Sequence, residues 1–199
     1  LVIFVSDHGE SLGEHDYWGH GRNLHEPNLR IPLAMVLESR LAPGVEPAPA
    51  LITDIAPTVM GLLGHQVPSF FQGLDWSPIL AGQQPSPVDR VTYYEAHKGA
   101  VRPYEGKEQL RQKGLTEVGL IAGPSKELFR LKGARRSEFD LLEDPGELAS
   151  RVDQESAISP ALRAWLTGVQ KGLLRSDDLP PPSLSEEDTE ALRALGYLD

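Results

Sequence analysis

Cysteine is absent from the 199-residue chain, and basic residues are few, 19 Lys and Arg against 29 Asp and Glu. The first absence removes disulfides, thiolate metal sites and thiol nucleophiles together, and leaves the compartment open. The second gives a formal net charge of -10 with no basic stripe to offset it. That balance argues against a nucleic-acid partner, since phosphate backbones are held by excess Lys and Arg. Long apolar runs are missing too. Leu1 to Val5 falls far short of the ~20 residues of a membrane span and lacks the basic start and cleavage site of a signal peptide. No membrane segment is expected in this chain.

What is present is the composition of an ordinary globular protein, 40% hydrophobic and 24% charged, enough to bury a core. The chain opens on Leu1, and the run to Val5 leads straight into Ser6-Asp7-His8-Gly9. A continuous apolar run ended by a turn is the pattern of a parallel strand covered on both faces. Ile31 to Leu37 reads as a second such strand, broken only by Pro32. A strand at the first residue implies upstream neighbours, so the chain is expected to be a fragment. Between the two runs lie about 25 residues rich in Gly, His and acidic groups, a long loop. Such loops after buried strands are where open α/β sheets place ligands.

Further along, Thr53 or Asp54 is placed to cap a short helix through Ile55, Val59, Leu62 and Leu63, with Gly64 as its stop. A composition shift near residue 90 divides the chain into an α/β part over residues 1–90, a small, mostly antiparallel β subdomain over 91–150, and a helical segment over 151–199. Candidate strands fall at Val91 to Glu95, Glu117 to Ala122, Glu127 to Leu131 and Glu138 to Leu142. Asp144-Pro145-Gly146 follows as a turn. Ser159-Pro160 caps a helix whose Leu162, Trp165, Leu166, Val169 and Leu173 form one apolar stripe, read as packing rather than as a substrate platform. Leu179 to Pro182 reads as a stiff linker, and Ser185 with Asp188 opens a final helix.

The chemistry concentrates in residues 6–21. Asp7 and His8, just past a strand end, offer ligands to a divalent cation. Hard oxygens suit Ca²⁺ or Mg²⁺, and an Asp/His combination also suits Zn²⁺ or Mn²⁺. The same residues also make an ordinary turn, in which Asp accepts backbone amides and His is a bystander. The strand before and the His-rich loop after favour the metal. His20, in the same His-rich loop, is a further candidate, or it is a loop histidine without a ligand. His15 and His25 read as histidines that position the neighbourhood. Glu26 and Arg30, four apart, read as an ion pair, with Arg30 turned to a bound anion as the alternative. Glu10 and Glu14 read as solvated carboxylates or backbone acceptors, with metal assistance as the alternative.

Taken in order, Asp7 to His15, Tyr17-Trp18-Gly19-His20-Gly21, Leu24-His25-Glu26-Pro27, Leu29-Arg30-Ile31-Pro32-Leu33, Thr53 to Thr58, Phe70 to Asp75, Asp144 to Leu148 and Leu192 to Leu198 resemble successive blocks of bacterial sulfatases, in the alkaline phosphatase superfamily. The blocks cover nearly the whole chain. The resemblance implies an α/β fold, the C-terminal part of an alkaline-phosphatase-like sandwich with a small antiparallel-sheet subdomain and C-terminal helices. It implies a metal-dependent sulfuric ester hydrolase acting on a small-molecule or glycan sulfate ester. Asp7 and His8 become metal ligands, most often for Ca²⁺, with Zn²⁺ or Mn²⁺ open because His stands where Asn is common. His20 is assigned contact with the sulfate and help to the departing oxygen.

Sulfatases attack with a formylglycine made within Cys/Ser-x-Pro-x-Arg, and this sequence holds no such motif; Ser86-Pro87-Val88-Asp89-Arg90 has the wrong order. The nucleophile and half of the metal shell are therefore expected upstream, and the chain without that N-terminal part is expected to be inactive. A phosphoester or phosphonate hydrolase, or a phosphoethanolamine transferase of the same superfamily, is the nearest alternative. The transferases share the Ser6 to Glu14 block, whereas the Leu-Arg-Ile-Pro, Asp-Ile-Ala-Pro-Thr and Leu-Gly-Tyr-Leu blocks favour the sulfatase. The alternative of a different class is a non-catalytic binding or structural module on the same fold.

Overall fold

The computed structural model describes residues 1–38, 40–87, 90–97 and 114–175. Four strands that alternate in side-chain direction form its main sheet: β5 (Val91–His97), β6 (Leu115–Ala122), β7 (Ser125–Arg130) and β8 (Arg135–Asp140), antiparallel and in sequence order. Each lies within a few residues of the strand expected there. The two faces of the sheet hold separate cores. On one, Ala96, Leu128 and Phe139 pack with Leu24, Leu29 and Tyr94. On the other, Leu115 and Val118 pack with Ile158 and Leu162, and Trp165 and Leu166 lean against them.

The second core is built by the last helix described, Pro160–Arg175. The Leu162 amide donates to Ser159 Oγ at 3.2 Å, and Pro160 sits where its missing N–H costs nothing. Trp165 stacks on Tyr93 with ring centroids 5.1 Å apart, so the apolar stripe is packing, as expected. The side chains of Val169 and Leu173, the linker at Leu179 to Pro182, the helix from Ser185 and the block Leu192 to Leu198 lie outside the described residues. Among the described residues no helix is long and apolar enough to cross a membrane.

The first apolar run forms β1 (Val2–Val5), and the second forms β4 (Leu33–Val36). They pair with each other antiparallel, Val2 opposite Val36 and Val5 opposite Leu33, not as two parallel strands. An apolar run reports that both faces are greasy; it does not report the partner's direction, which the connection sets. Here the intervening residues act as a wide hairpin, returning the chain to the end where β1 finished. Nor is the pair covered: Phe4 is 67% exposed and Val2 66%.

The intervening loop is itself structured. It contains the two-residue strands β2 (Ser11–Leu12) and β3 (Trp18–Gly19), paired antiparallel, and the single turn α1 (Glu26–Leu29). Beyond β4 the helix α2 (Ile55–Leu62) follows a 3₁₀ turn at Ile52–Asp54, and a further turn, α3, spans Ser77–Leu80. Gly64, with φ +81°, stands past the end of α2, as a helix stop should.

Asp54 does not cap α2 with its side chain. Its buried carboxylate instead accepts the Leu51 amide at 2.8 Å, the Leu74 amide at 2.7 Å and the Trp76 indole at 2.9 Å, and takes the Arg90 guanidinium on both oxygens. Burial pushes its pKa up, but Arg90 and these donors outweigh that and hold it below the ordinary value. The group thus joins α2, the loop after it and the entry to β5. Removing one partner of a buried ion pair leaves the other uncompensated. Asp54→Ala is therefore expected to cost about 3–5 kcal/mol in urea unfolding; a loss below about 1 kcal/mol would show that the carboxylate organises nothing.

Candidate functional site

The loop between β1 and β4 carries the candidate residues, and its base is closed by backbone contact. The Gly9 amide donates to the Asn28 carbonyl at 3.0 Å. A Cβ on Gly9 would fall 2.0 Å from the Pro27 carbonyl oxygen, so only glycine lets the strand end meet α1 this closely. Above that contact β2 and β3 form a short ribbon, turned through Glu14–Asp16. The Glu14 carboxylate accepts the Leu12 amide at 2.6 Å, the backbone-acceptor role expected of it.

Beside the ribbon the side chains converge. His8 Nδ1 lies 2.8 Å from the Gly9 carbonyl. A carbonyl only accepts, so Nδ1 carries the proton and Nε2 keeps a free lone pair. That Nε2 is 3.7 Å from Asp7 Oδ1, and the Asp7 side chain is 87% exposed. His20 Nδ1 meets Glu10 Oε2 at 2.9 Å, while the Tyr17 hydroxyl donates to the His20 carbonyl at 2.8 Å. The His8 and His20 rings stack with centroids 3.9 Å apart.

This donor set fits a divalent cation. His8, Glu10 and His20 each bring a ligand atom within 4.8 Å of the other two, and Asp7 adds a hard carboxylate beside them. Two imidazoles with carboxylates suit a borderline ion such as Zn²⁺ or Mn²⁺, whereas the oxygen-seeking Ca²⁺ would draw on the carboxylates. His8 and His20 thus come together with Glu10, whereas Asp7 is not in that group and approaches His8, its chain neighbour, at 3.7 Å. Glu10, expected to be a solvated carboxylate or backbone acceptor with metal assistance as the alternative, joins the two histidines. Its signal lay in the ribbon: Ser11 pairs with Gly19, which puts Glu10 across from His20.

A second cluster lies under the loop. His15 and His25 stack with centroids 3.6 Å apart, and both rings face Glu147, at 4.0 and 3.2 Å. Burial lowers the His15 pKa, and neighbouring His25 lowers it further. Lys126, with 0% of its side chain exposed, reaches Glu147 at 2.7 Å and Glu26 at 2.8 Å. The Glu26 partner is therefore Lys126, not Arg30, for which no ion pair is present among the described residues. The reason is local: α1 is one turn long and Arg30 has already left it with extended ψ of 114°, so the two side chains do not share a helix face. Glu147 also accepts the Glu26 amide at 2.7 Å, and Glu117 of β6 accepts the Leu24 amide at 2.8 Å.

Residues 13–171 match the family described as N-sulphoglucosamine sulphohydrolase, C-terminal. A choline-sulfatase of Rhizobium meliloti is 34% identical over 200 residues, covering 99% of this chain and 35% of the relative. Among solved structures, BT4656 in complex with its substrate D-glucosamine-2-N,6-O-disulfate aligns with a TM-score of 0.60 at 23% identity, over 88% of this chain and 35% of that one. A phosphonate monoester hydrolase from Silicibacter pomeroyi aligns with a TM-score of 0.58 at 20% identity, over 94% and 37%. These likenesses establish the α/β fold of sulfatases and phosphonate hydrolases. The chain spans about a third of the length of the curated relatives it matches.

Burial pushes the Glu147 carboxyl up, but the His25 ring, the Lys126 ammonium and the Glu26 amide outweigh it and hold its pKa at about 2, against an ordinary 4.5. A depressed carboxyl stabilises the fold fully above its unfolded value and loses that contribution as pH falls from about 4.5 to about 2. Glu147→Gln is expected to lower stability at neutral pH by about 3 kcal/mol and to flatten the acid limb of the stability curve over that window. An unchanged acid limb in denaturant titrations would contradict the assignment.

Proposed function

The chain belongs to the sulfatase family, matched over residues 13–171, and from that membership we propose that it carries one side of the active site of a divalent-metal-dependent sulfuric ester hydrolase. The observation that carries this reading is the meeting of His8, Glu10 and His20 beside Asp7 on one loop. Asp7 and His8 are the metal ligands. His8 is pre-set for that role, because the Gly9 carbonyl fixes its proton on Nδ1 and leaves Nε2 to ligate. A divalent cation there supplies stabilisation of charge developing on the ester oxygens. Ca²⁺ is the favoured ion, with Zn²⁺ or Mn²⁺ next.

His20 acts on the leaving group. As the sulfur–oxygen bond breaks, Nε2–H gives its proton to the alcohol oxygen. Glu10, on Nδ1 at 2.9 Å, holds the ring in line and balances the charge of the imidazolium that donates. The nucleophile and the remaining metal ligands come from sequence outside this chain, and the chain alone does not turn over. The phosphonate hydrolase likeness is one of fold alone and does not decide the transferred group.

Two measurements on the complete gene product test the proposal. In calorimetric titration with Ca²⁺, Mn²⁺ and Zn²⁺, Asp7→Ala is expected to weaken binding by about 10-fold or more; equal affinity removes Asp7 from the shell. In turnover assays a sulfate ester is expected to outpace the matching phosphonate and phosphate esters. His20→Ala should cost about 10²–10⁴ in kcat for an alkyl sulfate and much less for a sulfate with an acidic phenol leaving group, which departs without a proton. An equal loss on both would exclude leaving-group protonation by His20.

A further inference from the structure

We propose that Tyr17 is a positioning residue for His20: its hydroxyl holds the His20 backbone so that the imidazole stays between Glu10 and His8. This rests on the leaving-group role given to His20 above. The ladder of the β2–β3 ribbon leaves that backbone unheld. The Gly13 amide donates to the Tyr17 carbonyl at 3.1 Å, which makes Leu12–Trp18 a pair without hydrogen bonds of its own and Ser11–Gly19 the bonded pair beyond it. The two kinds alternate, so Glu10 and His20 come next, with side chains close together and peptide groups facing away from the opposite strand. The side chains meet at 2.9 Å. Among the described residues the ribbon has only two strands, so no ladder partner meets the His20 carbonyl. The Tyr17 hydroxyl takes that place, donating to it at 2.8 Å.

His20 needs this restraint because of its neighbours. It stands between Gly19, with φ +112°, and Gly21, with φ +78°, two residues whose backbone reaches conformations closed to others. A Cβ on Gly21 would meet nothing within 4 Å, so packing does not fix the chain on that side. A swing about the two glycines would carry the ring off Glu10 and off its stack on His8, where the centroids lie 3.9 Å apart. The phenol is itself seated. Tyr17 is half-buried, and a Cβ on Gly19 would stand 3.5 Å from its oxygen and 3.8 Å from its Cζ and from Glu10 Oε1. Ring and carboxylate thus close on the same bare backbone position, the one from which His20 departs.

Tyr17 acts through His20 and not on the ester. Proton transfer depends on alignment, and a displacement of about 1 Å costs up to about 100-fold in rate. Glu10 sets the direction in which the imidazole faces, and Tyr17 sets the point from which it reaches. The two restraints differ in kind. Glu10 also balances the charge of the imidazolium, whereas the phenol, bonded to a backbone carbonyl, leaves that charge untouched. Loss of the hydroxyl therefore removes alignment alone.

The test assays the complete gene product on an alkyl sulfate and on a sulfate with an acidic phenol leaving group, with thermal unfolding alongside. Tyr17→Phe keeps the ring and removes the hydroxyl. It is expected to lower kcat about 10-fold on the alkyl sulfate, with little change in KM or Tm and a much smaller loss on the phenol ester. In a His20→Ala background the same substitution should cost nothing further, because the side chain it acts through is gone. Equal losses on the two esters, an undiminished loss on top of His20→Ala, or wild-type kcat in Tyr17→Phe would overturn the proposal. If the wild-type protein turns over neither ester, or His20→Ala keeps full activity on the alkyl sulfate, the reading of the site fails instead. Imidazole nitrogen NMR then decides the role of Tyr17. A single Nδ1–H tautomer of His20 in the wild type that becomes a mixture in Tyr17→Phe sustains it, and the same spectrum in both overturns it.

Discussion

Lys126 has no exposed side-chain surface, and its ammonium lies between two carboxylates, Glu147 and Glu26. A buried cation without partners is untenable, and a buried carboxylate is equally so. The three groups therefore tie together segments far apart in sequence: β7, the turn after β8, and the first residue of α1. Glu147 then uses its other oxygen on the Glu26 amide, and Glu117 holds the Leu24 amide from β6. These acids fasten the loop that carries Asp7, His8, Glu10 and His20 to the face of the main sheet. Leu24 and Leu29 fill the apolar space between.

That arrangement separates two demands that conflict in one place. The proposed metal ligands and proton donor have to reach a substrate, and Asp7, His8, Glu10 and His20 are exposed. Exposed side chains on a long loop would wander if nothing beneath them were fixed. Here the rigid part is the layer below, where His15 and His25 stack against Glu147. Gly9 adds the remaining restraint by bringing the end of β1 against α1.

Much of the fold could be read in the sequence because alternation, turns and caps are local signals. The strands of the main sheet, the Ser159-Pro160 helix start and the Gly64 stop all follow from residues within a few positions of each other. Strand direction for β1 and β4, and the partners of Asp54 and Glu26, depend on where distant segments land, and no spacing rule encodes them. The site divides in the same way. Asp7, His8 and His20 stand out by residue type and by resemblance. Glu10 required the β2–β3 register, and Glu147 looked like part of an ordinary Asp-Pro-Gly turn. Lys126, in a strand rich in charge, gave no sign of being buried.

The loop that carries the candidate residues is locked onto the sheet from beneath. Native-state amide hydrogen exchange measures this directly at Leu24 and Glu26, whose N–H groups end on Glu117 and Glu147. Both amides are expected to be protected as well as those of the central strands β6 and β7, and to lose that protection together when Glu147 is replaced. Rapid exchange at these two amides in the native protein, with the strands still protected, would contradict it.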